Sequence, residues 1–317
     1  MSIVINIIIV VTITMLHVIY VSYFERKVLG HMQARLGPMR VGPHGILQPI
    51  ADGIKLFFKE DIIPSAADKL IFYIAPLICL VTAVGSLAVI PLWEGFSIAN
   101  LNIGVLYILA LSSLGAYGVI LSGWASNSKY SFLGGLRSSA QVISYEIAMG
   151  MSLVGVMMLA KSANLHTLVK AQSDYPFILQ QPIAFFVFLM AIIAETNRAP
   201  FDLPEAESEL VAGYFVEYSG IRFALFFMAE YTAMFIMSAM ATICFLGGWN
   251  GPQFGVFSHI PKIAWFLIKV YALIFFFFWI RATLPRYRYD QLMGLGWRLF
   301  IPLALANIVI TGVVKLL

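Results

Sequence analysis

The stretch RFALFFMAEYTAMFIMSAMATICFLG, residues 222–247, decides the fold of this chain. An α-helix rises about 1.5 Å per residue, so an apolar run of this length crosses roughly 30 Å of hydrocarbon. The run nevertheless contains Glu230, and an ionisable group inside a bilayer is costly unless it faces a partner or a wet cavity. The stretch therefore predicts a membrane-spanning helix that carries a candidate functional acid.

Similar apolar runs recur along the 317 residues, which are 61% hydrophobic and only 11% charged. Soluble domains carry about 25% charged residues. We therefore predict an all-α polytopic membrane protein, with residues 1–317 forming a single integral membrane domain. The eight predicted spans are 2–24, 69–92, 101–122, 141–161, 179–197, 222–247, 262–283 and 298–316.

The basic residues predict the orientation of the spans. The positive-inside rule places the basic side in the bacterial cytoplasm or the mitochondrial matrix, and both termini outside. The net charge of +4 then needs no nucleic-acid partner. The first apolar run lacks a basic leader region and a small-residue cleavage site, so we expect it to be retained as a span. Most of the 20 Lys and Arg lie in the segments 25–68, 123–140, 195–222 and 281–298.

Cysteine and histidine usage argues against a bound metal or haem. Cys79 and Cys244 stand singly in apolar spans, which disfavours zinc or iron–sulfur ligation. Of the five histidines only His17 lies well inside a span, whereas a haem held by two histidines needs a facing pair. We therefore expect no metal and no cofactor bound by this chain.

Residues 45–59 follow two Gly-Pro pairs and have an amphipathic pattern. Ile50, Ile54 and Phe57 share one helical face, and Asp52 lies mostly on the other. The run is too short to span, so it predicts a helix that lies in the membrane interface. Two interpretations remain open: a surface anchor, or one wall of an opening through which a lipid-soluble molecule leaves the bilayer.

Acidic residues are concentrated in ETNRAPFDLPEAESELVAGYFVEYSG, residues 195–220, which we predict to be an inside loop ending near 222. Glu195 and Arg198 are three residues apart, a spacing that allows an ion pair on a helix face. Asp202 is predicted to cap a new helix whose acids suit the positive end of its dipole. Capping accounts for only one or two of these acids.

The remaining acids of this loop suggest proton handling. Glu205 and Glu209 would share a helix face, where like charges repel, while Glu207 would face another wall. Coupled carboxylates of this kind can hold and release protons. Glu146 and Glu230 lie within predicted spans, and the alternative for each is a paired structural carboxylate.

The last inside loop, RATLPRYRYDQLMGLGWR, alternates arginines with Tyr287, Tyr289 and Trp297. Interfacial bases and aromatics anchor membrane spans. The arginines are alternatively counter-charges to the acids, or a basic rim for a docked protein.

Together these loops closely resemble one family, the quinone-site membrane subunit of proton-translocating NADH:quinone oxidoreductase (respiratory complex I). The resemblance runs from about residue 20 to 300, and it departs at Asn100, where the family often has Asp. The stretches that carry it are ERKVLGHMQARLGPMRVGPHGILQPIADGIKLFFKED (25–61), NLNIGVLY (100–107), GWASNSKYSFLGGLRSSAQVISYE (123–146), AETNRAPFDLPEAESELVAGYFVEYSG (194–220) and RATLPRYRYDQLMGLGW (281–297).

The resemblance implies a subunit without a redox centre of its own, in the bacterial cytoplasmic or mitochondrial inner membrane. It implies FMN and iron–sulfur clusters in partner subunits, and quinone as substrate. The implied partners are the hydrophilic-arm subunits around the terminal iron–sulfur cluster, and the small and antiporter-like membrane subunits.

The resemblance also implies site residues. Quinone would enter a tunnel between the first span, the sixth span and the 45–59 helix, and acids would form a path toward the antiporter-like subunits. The implied tunnel residues are Arg26, Arg35, Asp52, Gly53, Phe57, Phe227, Met228 and Arg281. The implied proton-path residues are Glu146, Glu195, Asp202, Glu205, Glu207, Glu217 and Glu230.

Two alternative functions remain. The membrane anchor of a related energy-converting hydrogenase shares the architecture but handles no quinone; the 45–59 helix and the full ETNRAPFDLPEAE stretch favour the quinone enzyme. A stand-alone cation or proton transporter would be expected to show inverted repeats with broken helices near the midplane, and the sequence contains no such pair.

Overall fold

The computed structural model describes residues 2–202, 211–251 and 260–316. These residues form helices joined by loops, and they contain no β-strand. The all-α class predicted from the sequence is therefore confirmed. In chain order the α-helices of these residues are α1 Ser2–Met32, α2 Gln48–Phe58, α3 Lys69–Ser86, α4 Gly104–Ala125, α5 Lys129–Ala160, α6 Leu165–Lys170, α7 Phe177–Gln180, α8 Pro182–Glu195, α9 Gly220–Phe245, α10 Lys262–Thr283, α11 Tyr289–Leu295 and α12 Ile301–Leu316.

Seven helices in the described part of the chain are long and apolar enough to cross a membrane. They are α1, α3, α4, α5, α9, α10 and the run from α11 through α12, which a π-helical turn joins. The polytopic architecture is thereby confirmed. The fifth predicted span, 179–197, has a different form, because it is divided between the one-turn helix α7 and the apolar helix α8.

Helix α8 is short because Pro182 occupies its first turn and the chain leaves the helix after Glu195. Its 14 residues extend only about 21 Å, less than the thickness of the hydrocarbon core. Val187, Phe188 and Ile192 are fully buried, so the helix is packed within the bundle. The eight predicted spans thus correspond to seven long helices and this short one in the described residues.

Helix α5 begins earlier than predicted, because residues 129–140, assigned to a loop, are helical. Small residues explain the difference. A side chain at Gly135 would meet the backbone of Gly123 at 3.3 Å, and Ser138 is fully buried. Small residues let helix backbones approach closely in membrane bundles, and this packing outweighs their weak helix propensity.

Helix α5 packs against α4, α8 and α12, while α9 packs against α3, α8 and α10. Helix α1 contacts α9 and α10 near the other side of α9. These contacts bring the polar residues of α1, α9 and α10 together on one side of α9. They bring the polar residues of α4, α5 and α8 together on the other.

Helix α2 confirms that a helix forms within residues 45–59. It contacts α1 and α9, but much of its apolar face is uncovered, with Phe57 74% and Phe58 87% exposed. Its position in the membrane interface remains a prediction.

Candidate functional site

A buried ion cluster is centred on Glu25 of α1, whose side chain is only 3% exposed. Arg198, in the loop after α8, donates from Nη1 to Glu25 Oε1 at 3.2 Å. Arg281 of α10 donates to the same oxygen, and the Tyr231 hydroxyl of α9 donates to Oε2 at 2.6 Å. Two guanidinium groups and a hydroxyl therefore compensate one buried carboxylate, as burial of a charge requires.

Arg198 joins this acid to a second one. Its Nε lies 2.7 Å from Oε1 of Glu230, and its guanidinium carbon lies 4.5 Å from the centre of the Tyr231 ring. The predicted pairing of Arg198 with Glu195 is wrong. The helix ends at Glu195 and Asn197 adopts a left-handed conformation (φ 49°), which turns Arg198 away from the helix face.

Glu195 and Glu146 are held instead by two neighbouring hydroxyls of α4. Ser112 Oγ donates to Glu195 Oε1 at 2.6 Å, and Ser113 Oγ donates to Glu146 Oε1. The second carboxylate oxygen of Glu195 is buried without a hydrogen-bond partner among the described residues. Adjacent serines thus bring acids from α8 and α5 to the same level of α4.

A cavity of about 120 Å³ lies between Glu195 and Glu230, enclosed by α3, α4, α5 and α9. Ser112 and Asn197 add polar groups to its wall, and most of the remaining lining is apolar. A water molecule needs on the order of 10–15 Å³ of such space and two or more polar partners, so this cavity has room for several. Both acids therefore contact one space that water can fill.

Asp202 is buried beside the same cluster, and Arg286 Nη2 donates to its Oδ2 at 3.2 Å. Burial raises the pKa of Asp202 above its usual value, in spite of the nearby guanidinium groups of Arg286 and Arg281. The contact confirms a counter-charge role for one arginine of the last inside loop. The helix that Asp202 was predicted to cap lies outside the described residues.

The remaining predicted acids of the loop are not brought into this cluster. Glu205, Glu207 and Glu209 lie outside the described residues. Glu217 is described and is only partly exposed.

At the predicted tunnel, Asp52 of α2 joins its helix to α1. Arg26 Nη1 donates to Asp52 Oδ2 at 2.7 Å, and Gln48 Nε2 donates to Oδ1 at 3.1 Å. Partial burial acts to raise the pKa of Asp52, but the hydrogen bonds from Arg26 and Gln48, together with the nearby positive charges, hold it below its usual value. Asp52 is therefore a carboxylate at neutral pH.

The other predicted tunnel residues surround this contact unevenly. Phe227 and Met228 are half-buried on α9, and the Phe227 ring lies 4.5 Å from that of Tyr231. A side chain built at Gly53 would meet nothing within 4 Å, so open space adjoins α2 there. Phe57 and Arg35 are exposed, and Arg281 belongs to the Glu25 cluster.

Sequence reasoning missed Glu25, Tyr231, Ser112 and Ser113 as site residues. Glu25 directly follows the predicted end of the first span, and a continuation of that helix would have marked it as a membrane acid. Hydroxyl residues are common in membrane helices, so the tyrosine and the serines carried no comparable signal.

In residues 2–202, 211–251 and 260–316 no group of three or more His, Cys, Asp or Glu side chains is placed to hold a metal ion. Cys79 and Cys244 are buried free thiols.

The fold and the site define a class: a polytopic α-helical membrane protein with ion-paired and cavity-lining acids between its helices. Comparison with known families is more specific. The family model described as NADH dehydrogenase matches residues 5–312, and the chain belongs to that family.

Several relatives cover nearly the whole chain, and all are H subunits of an NADH-quinone oxidoreductase. The first of the two kinds numbered in Geobacter sulfurreducens is 53% identical over 99% of this chain and 94% of its own length. The H subunits of Rhodospirillum rubrum and Rickettsia typhi are 55% and 54% identical over 92% and 93% of this chain, and 88% of each relative is covered. The family resemblance found in the sequence is thereby confirmed.

Proposed function

We propose that this chain is the core membrane subunit of a proton-translocating NADH:quinone oxidoreductase, and that it forms the quinone-access tunnel and an acidic path that couples quinone reduction to proton movement. The names of its relatives support the subunit assignment. The observation that carries the coupling role is the continuous series of contacts from Glu25 through Arg198 to Glu230, and across the cavity to Glu195.

The tunnel would lie between α1, α2 and α9. The Arg26–Asp52 ion pair ties α2 to α1, and the exposed apolar face of α2 suits contact with lipid and with an isoprenoid tail. Phe227 would supply an apolar wall. The redox groups, FMN and iron–sulfur clusters, belong in this proposal to partner subunits of the hydrophilic arm.

The acidic path would begin where quinone chemistry changes the local charge. A gain or loss of charge near Arg281 and Glu25 alters the field at Glu230, because Arg198 contacts both acids. Glu230 and Glu195 would then exchange a proton through water in the cavity that both line. Ser113 and Glu146 continue the path toward the antiporter-like subunits.

The proposed environment is the bacterial cytoplasmic or mitochondrial inner membrane, with both termini outside. The rivals are a hydrogenase membrane anchor and a stand-alone transporter. Purification of the chain with its neighbours separates them, because only the proposed function requires NADH-oxidising partner subunits beside it. Recovery of a hydrogenase, or of the chain alone in active form, would contradict the proposal.

The coupling role is tested by Glu195→Gln, since glutamine keeps the acceptor for Ser112 but cannot ionise. We expect an assembled complex whose quinone-dependent NADH oxidation and pH-gradient formation both fall about tenfold or more, the scale of a lost proton-transfer group. Reduction of a hydrophilic acceptor at the flavin should be unchanged. The same substitution at Glu205 and Glu207 tests the predicted acids outside the described residues.

The matched control is Asp174→Asn, at an exposed position between α6 and α7. It should retain both activities within about twofold, as surface changes usually do. An assembled Glu195→Gln variant with wild-type turnover and pH-gradient formation would leave the acids with a structural role only.

A further inference from the structure

The segment that follows α2 is fastened to the beginning of α9. Ser219 Oγ donates to the carbonyl oxygen of Glu60 at 3.2 Å and accepts from the amide of Ile62 at 3.2 Å. We call residues 59–62 and 219–222 together the α2–α9 junction. Its hydrogen bonds join segments that are far apart in the sequence.

Gly220 permits the close approach at this junction. It has φ +55°, a conformation that L side chains rarely adopt, and a Cβ there would lie 3.1 Å from the carbonyl oxygen of Lys59. The glycine therefore lets the backbone after α2 pass directly over the first turn of α9.

An ion pair completes the junction. Arg222 Nη2 lies 3.1 Å from Asp61 Oδ2, and Arg222 is only 7% exposed. Its guanidinium carbon lies 3.9 Å from the centre of the Tyr73 ring and 5.3 Å from that of Phe72, both on α3. A planar guanidinium can stack on a ring and bind a carboxylate at once, which fixes the direction of this contact.

The junction connects two elements of the proposed tunnel. The chain before residue 59 is α2, which carries Asp52 and Gly53, and the chain after residue 222 is α9, which carries Phe227 and Glu230. The junction holds the end of α2 directly at the start of α9, so a change in its contacts moves the two elements relative to each other.

We propose that Asp61 and Arg222 are positioning residues that set the width of the quinone entrance by holding α2 against α9. This inference rests on the proposed function, since it assumes that quinone passes α2. Loss of the ion pair would let α2 shift and would weaken quinone entry, while the redox centres and the acidic path stay in place.

The test is a double-mutant cycle with Asp61→Asn, Arg222→Gln and the double variant, in membranes that contain the assembled complex. We expect each single change to raise the apparent KM for quinone by about threefold to tenfold, with kcat and the hydrophilic-acceptor activity nearly unchanged. The double variant should match the single ones, because residues in one contact act as a unit.

A merely structural role would lower the amount of assembled complex without moving KM. An unchanged KM in assembled variants, or fold-changes that multiply in the double variant, would therefore overturn the inference. Glu94→Gln is the control, because it removes an exposed ion pair with Lys262 and should leave KM unaltered.

Gly53→Val separates this inference from the proposed function. If Gly53→Val raises KM and the junction variants do not, α2 borders the entrance but the junction does not position it. If none of these variants raises KM, the entrance itself lies elsewhere and both proposals fail.

Discussion

Glu25 shows how this chain keeps a carboxylate inside a membrane bundle. Its two oxygens accept from Arg198, Arg281 and Tyr231, so the acid is outnumbered by positive groups. Glu230 restores the balance through Arg198. Two acids and two bases then form a nearly neutral unit, whose members depend on one another.

Glu25→Gln is expected to leave two guanidinium groups with too little negative charge. Breaking a buried pair costs about 3–5 kcal/mol, so the assembled complex should be scarce and should lose its subunits at lower temperature. Tyr231→Phe removes one hydrogen bond only and should cost about 1 kcal/mol. Native gels run after heating measure both. Equal thermal stability of Glu25→Gln and the unsubstituted complex would contradict the charge-balance argument.

At the scale of the element, α2 is the part of the chain most exposed to change by a single side chain. Gly53→Val places two methyl groups in the open space beside α2, and we expect a higher apparent KM for quinone because the path is narrowed. Electron transfer from NADH to a hydrophilic acceptor should stay intact.

The control for this prediction is Gly294→Val on α11, where a side chain also meets open space. It carries a similar change in helix propensity, about half a kcal/mol or less, but lies away from α2. If both variants change KM alike, or if Gly53→Val lowers both activities together, the effect is on assembly and not on entry.

The sequence was sufficient for elements whose pattern is local. The amphipathic period predicted a helix within 45–59, and apolar length predicted the long spans. It was insufficient for α8 and for the start of α5. Both depend on packing, since α8 is short but surrounded by other helices, and the small residues of α5 are helical because neighbours approach them closely.

The site followed the same division. Glu146, Glu195 and Glu230 were recognised because an acid in an apolar run is costly. Their partners were not, because Arg198 reaches Glu25 and Glu230 only through the turn after α8. Which acid meets which base is set by the tertiary arrangement, and no local spacing encodes it.

At the scale of the whole molecule, the distribution of bases predicts that the loop before α5 faces the cytoplasm or matrix. Lys129 is exposed at the start of that helix and Asp174 is exposed between α6 and α7. In sealed membranes, Lys129→Cys should react with an impermeant thiol reagent only from the inside, and Asp174→Cys only from the outside. The buried Cys79 and Cys244 should contribute little labelling. Reversed labelling would contradict the topology.

The central claim is that buried acids change protonation when quinone is reduced. Infrared difference spectra of the assembled complex, recorded on quinone reduction, report this directly through the carboxyl C=O stretch. We predict a carboxyl band that is present in the unsubstituted complex and in Asp174→Asn, and absent in an assembled Glu230→Gln variant. The same band at full strength in Glu230→Gln, or no carboxyl band in the unsubstituted complex, would contradict the coupling path.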